Sequence, residues 1–152
     1  MKPIVIGCDN AAVDLKNEIV EYLRSKSVVV DDLGCYTSDD PTYYPYIAKR
    51  VCDNIIENNY SKNGILICGT GIGMCITANK FNGIRAAVCH DCYSAERMVL
   101  SNNGNVLCLG ERVIGKELAK KIVSEWIRLE FMEGSSTPKV QAIIDIEGEN
   151  LR

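Results

Sequence analysis

Five short apolar runs, each separated from the next by a polar stretch, limit this chain more tightly than any other feature. They read IVIGC at 4–8, VVV at 28–30, GILIC at 64–68, IRAAVC at 84–89 and NVLCLG at 105–110. They are rich in β-branched residues and nearly continuous, as expected of strands buried on both faces of a parallel sheet. The intervening stretches carry a helical period. Leu15, Ile19 and Leu23 recur every four residues, as do Ile47, Val51 and Ile55, and again Leu118, Ile122 and Trp126. Asn79 to Gly83 (NKFNG) predicts a left-handed cap ending the helix before it. Strand–helix alternation through five strands predicts an α/β fold: a single-domain, doubly wound, Rossmann-like parallel sheet with helices on both faces. Residues 1–133 form that unit. Residues 134–152 add a loop, Gly134 to Pro138, and a short C-terminal helix around Val140, Ile143 and Ile144, within the same domain.

Bulk properties narrow the function classes. A length of 152 residues with 47% hydrophobic content suits one globular domain. A net charge of −3, with both signs interspersed, offers no basic face to nucleic acid or anionic lipid. The apolar runs are far too short to cross a bilayer. Met1-Lys2-Pro3 leads directly into Ile4-Val5-Ile6 without a signal-peptide pattern, so the eight cysteines read as reduced thiols in a cytoplasmic protein.

In open α/β sheets, ligands sit beyond the carboxyl ends of the strands. That rule selects Gly7 to Asn10, the loop Gly34 to Pro45, Cys68 to Gly73, Cys89 to Tyr93, and Gly110 to Arg112. In ICGTGIGMC (67–75), glycines 69, 71 and 73 lie between a strand and a helix, where free backbone N–H groups would stabilise an anion. The anion is either a phosphate or an oxyanion formed during reaction. Cys68 at the rim is placed to act as a base or nucleophile, with its thiol pKa lowered by the helix terminus, and Thr70 to orient it. The plainer alternative is a tight turn with an inert cysteine. A dinucleotide site fits poorly, because Gly69-x-Gly71-x-Gly73 is off the G-x-G-x-x-G register and sits on the third strand. A Walker A loop fails, since no Gly-Lys-Ser/Thr follows. Cys89-His90-Asp91-Cys92 is a lone C-x-x-C, and no second pair completes a zinc site.

GCD at 7–9, ILICGTGIG at 65–73, ANKFNGIRAAVC at 78–89, YSA at 93–95, NVLCLGERVIG at 105–115 and ELAKKIV at 117–123 together resemble the ribose-5-phosphate isomerase B family. That family also includes the galactose-6-phosphate isomerase subunits. The likeness runs in order over most of the chain. It implies aldose–ketose isomerisation of a sugar phosphate through an enediolate, with no metal and no organic cofactor. It also implies a homodimer, or a dimer of dimers, with active sites between subunits and the C-terminal segment reaching the partner. By resemblance, Cys68 removes the proton beside the carbonyl, and the backbone of Gly69, Gly71, Ile72 and Gly73 holds the oxyanion. Asp9 contacts substrate hydroxyls, Thr70 assists, Tyr44 lines the site, Asn102 binds near the carbonyl end, and Arg112 helps hold the phosphate.

The chain departs from the family pattern around the distal parts of the substrate. Asn10 stands where many relatives have histidine. Ser101 occupies the position of the histidine that opens the sugar ring. The tail arginines become Ser135 and Lys139, and the usual Asp-Tyr-Pro becomes Tyr43-Tyr44-Pro45. Serine cannot replace imidazole as an acid near neutrality, and lysine lacks the bidentate geometry of arginine. The default substrate pair is ribose 5-phosphate and ribulose 5-phosphate. The alternatives are a hexose 6-phosphate such as allose or galactose 6-phosphate, an open-chain tetrulose phosphate, or a non-catalytic paralogue that binds sugar phosphate. His90, the sole histidine, is a candidate substitute for the missing imidazole.

Overall fold

A computed structural model describes residues 1–150. In chain order the elements are β1 (Ile4–Cys8), α1 (Val13–Ser25), β2 (Val30–Asp32), α2 (Tyr44–Glu57), β3 (Asn63–Cys68), α3 (Ile72–Ala78), β4 (Ala86–Val88), α4 (Cys92–Leu100), β5 (Val106–Gly110), α5 (Lys116–Trp126) and α6 (Thr137–Asn150). The five strands form one sheet in the order β2-β1-β3-β5-β4, and every pairing is parallel. From β1 the chain winds outward to β2, then returns past β1 to β3. Strand order therefore reverses between β1 and β3, which makes that boundary the topological switch point.

Helices cover the sheet in two groups, α1, α5 and α4 side by side and α2 against α3. The stripe Ile47, Val51 and Ile55 of α2 is wholly buried, as its spacing predicts. Two strand glycines seat it. A Cβ on Gly7 would lie 2.8 Å from Ile47, and one on Gly64 would lie 2.9 Å from Ile55. On α1, Leu15, Ile19 and Leu23 are likewise buried.

Four details differ from the sequence reading. The second strand begins at Val30 rather than Val28, because its register on β1 pairs Ile4 with Val30. Val28 plugs the core ahead of the strand while Val29 faces out. On α5 the buried stripe is Ala119, Ile122, Val123 and Trp126, and Leu118 lies about 40° outside it at 100° per residue. The cap of α3, Asn79, has φ −70°; the left-handed residue is Gly83, four positions later, at φ 72°. The C-terminal helix is no short appendage but runs 14 residues, of which only Val140 is fully buried.

Both edge strands are guarded. The Asn79 carboxamide pairs with both backbone groups of Ala86 on β4, at 2.9 Å each way, so that a side chain stands in for a further strand. On β2, Asp31 and Asp32 are paired with Lys62 at 2.6 Å and Lys16 at 2.7 Å. Lys16 is completely buried, with its ammonium also 4.9 Å from the centre of the Tyr36 ring.

Candidate active site

β1 ends at Cys8 and β3 ends at Cys68, so Asp9 and Cys68 emerge on opposite sides of the switch point. The two strand ends are tied together, since Asp9 N–H donates to the Ile67 carbonyl at 3.2 Å. Asp9 Oδ1 accepts the Ala11 N–H at 3.1 Å. Burial raises the Asp9 carboxyl above its ordinary pKa, while the Ala11 amide and the Arg112 charge pull the other way.

After Cys68 the chain must turn sharply into α3. Gly71 takes φ 78°, and a Cβ there would stand 2.9 Å from the Leu109 backbone, so both its conformation and its surroundings require glycine. The turn folds back on the thiol, with Gly71 N–H donating to Cys68 Sγ at 3.1 Å. Ile72 N–H donates to Thr70 Oγ1 at 3.3 Å. Two amides of the glycine turn are thus engaged by the site's own side chains, where the sequence alone had them free. An oxyanion arriving there shares or displaces these bonds.

Two further residues close over the turn. The Arg112 guanidinium lies against Gly69, where a Cβ would be 3.2 Å from Nη1, and Arg112 N–H binds the Gly69 carbonyl at 3.0 Å. The Tyr44 ring at the start of α2 lies against Gly73, where a Cβ would be 2.6 Å from it. Asn10 is exposed beside Asp9, and Ile72 is exposed at the first position of α3. Asp9, Asn10, Tyr44, Cys68, Gly69, Thr70, Gly71, Ile72, Gly73 and Arg112 therefore gather at one edge of one chain.

Ser101, Asn102 and Lys139 do not join them. α4 starts at this edge and its nine residues carry the chain about 13 Å away at 1.5 Å per residue. Ser101 caps its far end, and Asn102 lines a cavity of about 520 Å³ with Arg85, Ile143 and Ile146. A second cavity of about 560 Å³ lies nearby, between Lys2, Tyr60, Asn63 and the α6 residues Ile144 and Glu147. Lys139 is exposed on the first turn of α6. Helix length was the available signal that Cys92 and Ser101 stand at opposite edges.

Glu111 lies in the selected stretch Gly110 to Arg112, where sequence reasoning assigned it no role of its own. Its carboxyl is pushed up by burial and held by the Leu15 amide near the start of α1, while one of its oxygens is buried without a partner. All eight cysteines are unpaired thiols. Cys89 is buried and raised to about 11, which makes the C-x-x-C a poor nucleophile pair. Among the described residues, no group of three or more His, Cys, Asp and Glu side chains is placed to hold a metal ion.

A thiol, a carboxylate, a hydroxyl and a guanidinium around a bare glycine turn, at the switch point of a doubly wound sheet, define an α/β enzyme acting on a small anionic substrate. The sequence model of the family described as Ribose/Galactose Isomerase matches residues 4–143. The chain belongs to that family of sugar-phosphate isomerases. It is 51% identical over 143 residues to the D-erythrulose-4-phosphate isomerase of Pectobacterium atrosepticum, covering 94% of this chain and 93% of that one. It is 45% identical to ribose-5-phosphate isomerase B of Escherichia coli, covering 97% of each. The crystal structure of ribose-5-phosphate isomerase B from Mycoplasma genitalium with bound ribulose 5-phosphate superposes with a TM-score of 0.92 at 36% identity, covering 97% of each chain. The protein is thus an aldose–ketose isomerase of the ribose-5-phosphate isomerase B type, as the sequence motifs imply.

Proposed function

We propose that this isomerase interconverts D-erythrulose 4-phosphate and D-erythrose 4-phosphate, with Cys68 as the base. The observation that carries the choice of substrate is Ser101, which stands where the family pattern has its ring-opening histidine. A tetrose 4-phosphate has its C4 oxygen esterified, so it cannot close a furanose ring and has no ring to open. Ribose 5-phosphate keeps a free C4 hydroxyl and closes readily. Losing an acid catalyst worth about 10²–10⁴-fold therefore costs a pentose phosphate heavily and a tetrose phosphate nothing. The name of the Pectobacterium relative supports the same substrate.

In this reading Cys68 Sγ takes a proton from C1 of the ketose. The electron pair moves toward C2, and its carbonyl oxygen becomes the enediolate oxyanion, held by the backbone of residues 69–73. A proton then passes from the C1 hydroxyl to the C2 oxygen. The O1 electron pair forms the C1 carbonyl, and return of a proton from the Cys68 thiol to C2 gives the aldose. Asp9 binds substrate hydroxyls, Arg112 stands over the turn as an anion partner, and Thr70 orients the thiol. Ser101, Asn102 and Lys139 of a second copy complete the distal end. This requires a homodimer or a dimer of dimers, since one chain places them at its other edge. The protein works in the cytoplasm. Among the described residues no helix is long and apolar enough to cross a membrane.

The test is a comparison of kcat/KM for erythrose 4-phosphate and ribose 5-phosphate in the aldose-to-ketose direction, followed by proton NMR of the erythrulose 4-phosphate reaction in D2O. The tetrose phosphate is expected to be the better substrate, with solvent deuterium appearing at C2 of the aldose formed from the tetrulose phosphate. Equal or better turnover of the pentose phosphate would restore ribose 5-phosphate as substrate. That second reading rests on the Escherichia coli relative and on the ribulose-5-phosphate-bound structure.

A further inference from the structure

His90 stands where β4 gives way to α4, on the active-site edge. Its Nε2 accepts the Gly110 backbone N–H at 2.8 Å, so the neutral ring carries its proton on Nδ1. Gly110 closes β5 and is the register partner of Cys68. It lies so close beneath Thr70 that a Cβ on it would stand 2.8 Å from the Thr70 backbone. The next two amides continue the seam, Glu111 N–H to the Cys68 carbonyl and Arg112 N–H to the Gly69 carbonyl, both at 3.0 Å. The end of β5 is therefore a floor under the reactive turn, and the His90 ring anchors the residue at its centre.

We propose that His90 is a positioning residue of the isomerisation: by accepting the Gly110 N–H, its neutral ring fixes the height of Thr70 and Cys68, and protonation at Nε2 releases that floor and lowers turnover. The proposal rests on the reading of the Cys68 turn as the reacting centre. It differs from a ring-opening role, because an effect carried through the backbone falls equally on cyclic and open-chain substrates.

Protonation would set a donor against a donor. Burial lowers the His90 pKa below its ordinary value, against a smaller upward pull from Asp91. The charged groups around the ring are few. Asp91 on the same connection is held by the Ser94 amide and hydroxyl, both at 2.7 Å. On the β5 side, Glu111 turns to the Leu15 amide and Arg112 lies over Gly69. On β3, Cys68 is the register partner of Gly110. Because the folded state disfavours the proton, the unfolded chain binds it first as pH falls. The contribution of this contact to stability is complete above the ordinary histidine pKa and is lost as pH falls through the lowered one.

Gln and Ala variants test the assignment. Glutamine can place Oε1 where Nε2 was and accept the same N–H without titrating. His90→Gln is expected to keep kcat near that of the unmodified protein. His90→Ala is expected to lose about tenfold to a hundredfold in kcat, with KM little changed and the same loss on every substrate. Nitrogen-15 NMR supplies a readout independent of turnover. The Gly110 amide should shift as His90 titrates and become indifferent to pH in His90→Gln. A Gln variant as impaired as the Ala variant, a loss confined to cyclic substrates, or a Gly110 amide blind to His90 would each overturn the proposal. If the unmodified protein turned over no sugar phosphate while Gly110 still followed His90, the isomerase reading would fall, and the role in turnover with it.

Discussion

The two edges of this sheet are built on opposite plans. At the carboxyl edge, Gly71, Gly73 and Gly110 are each overlaid by a neighbour less than 3.0 Å from where a Cβ would stand, Gly69 carries the Arg112 guanidinium at 3.2 Å, and reactive side chains crowd around them. At the amino edge, asparagines perform structural work. Asn105 bridges the Arg85 N–H and the Gly83 carbonyl at 2.8 Å each, and Arg85 Nε binds the Asn103 carbonyl at 2.6 Å. Two cavities of 560 and 520 Å³ open there under α6, and neither is lined by a cysteine. Volume alone would direct attention away from the Cys68 turn. Gly83 and Gly104 at the amino edge are overlaid as closely, with Tyr60 and Met98 each 2.6 Å from where a Cβ would stand. What distinguishes the carboxyl edge is the thiol, carboxylate, hydroxyl and guanidinium gathered around its glycines.

Substitutions can break that contrast. The largest effect belongs to Cys68→Ala, expected to lower kcat by about 10³-fold or more with the thermal midpoint little changed, as read by steady-state kinetics and circular dichroism. Gly71→Ala should cost about 3 kcal/mol or more in urea unfolding, since it adds a left-handed φ penalty to a collision with the Leu109 backbone, and should abolish turnover with it. Asp9→Asn should move activity and stability in opposite directions. With the folded pKa raised, the folded carboxyl holds its proton more firmly than the unfolded one, so its ionisation works against folding as pH rises from the unfolded value through the folded one. Removing the charge should raise the melting temperature at pH 7 while kcat/KM falls, and a lower melting temperature would assign Asp9 to structure. The smallest change is expected at the other edge. Glu147→Ala frees the Gly83 N–H bound at 3.0 Å, costs about 1 kcal/mol, and should leave turnover within twofold.

Much of this was legible in the chain itself. Alternating apolar runs gave the layers, and the spacing of Ile47, Val51 and Ile55 gave the buried face of α2. The glycine turn and Cys68 could be located because strand ends follow from the runs. What escaped depends on backbone angles within a turn or on contacts between segments distant in sequence. The capture of the Gly71 amide by Cys68 Sγ, the Gly110–His90 bond and the burial of Lys16 against Asp32 follow from register and from φ angles, which no local pattern encodes. The remoteness of Ser101 and Asn102 from Cys68 could have been read from the length of α4, but resemblance groups residues by role and ignores which end of a helix they occupy.

The amide of Asp9 on the Ile67 carbonyl has a wider implication. It makes the gap between carboxylate and thiol a fixed gauge, set by the lateral spacing of two paired strands and insensitive to the loops around it. The reacting end of any sugar phosphate meets the same jaw width whatever its carbon count. Differences in ligand length must then be absorbed by the 34–43 loop and by whatever lies across the opening. A lineage can therefore change its sugar while the gap between Asp9 and Cys68 stands still.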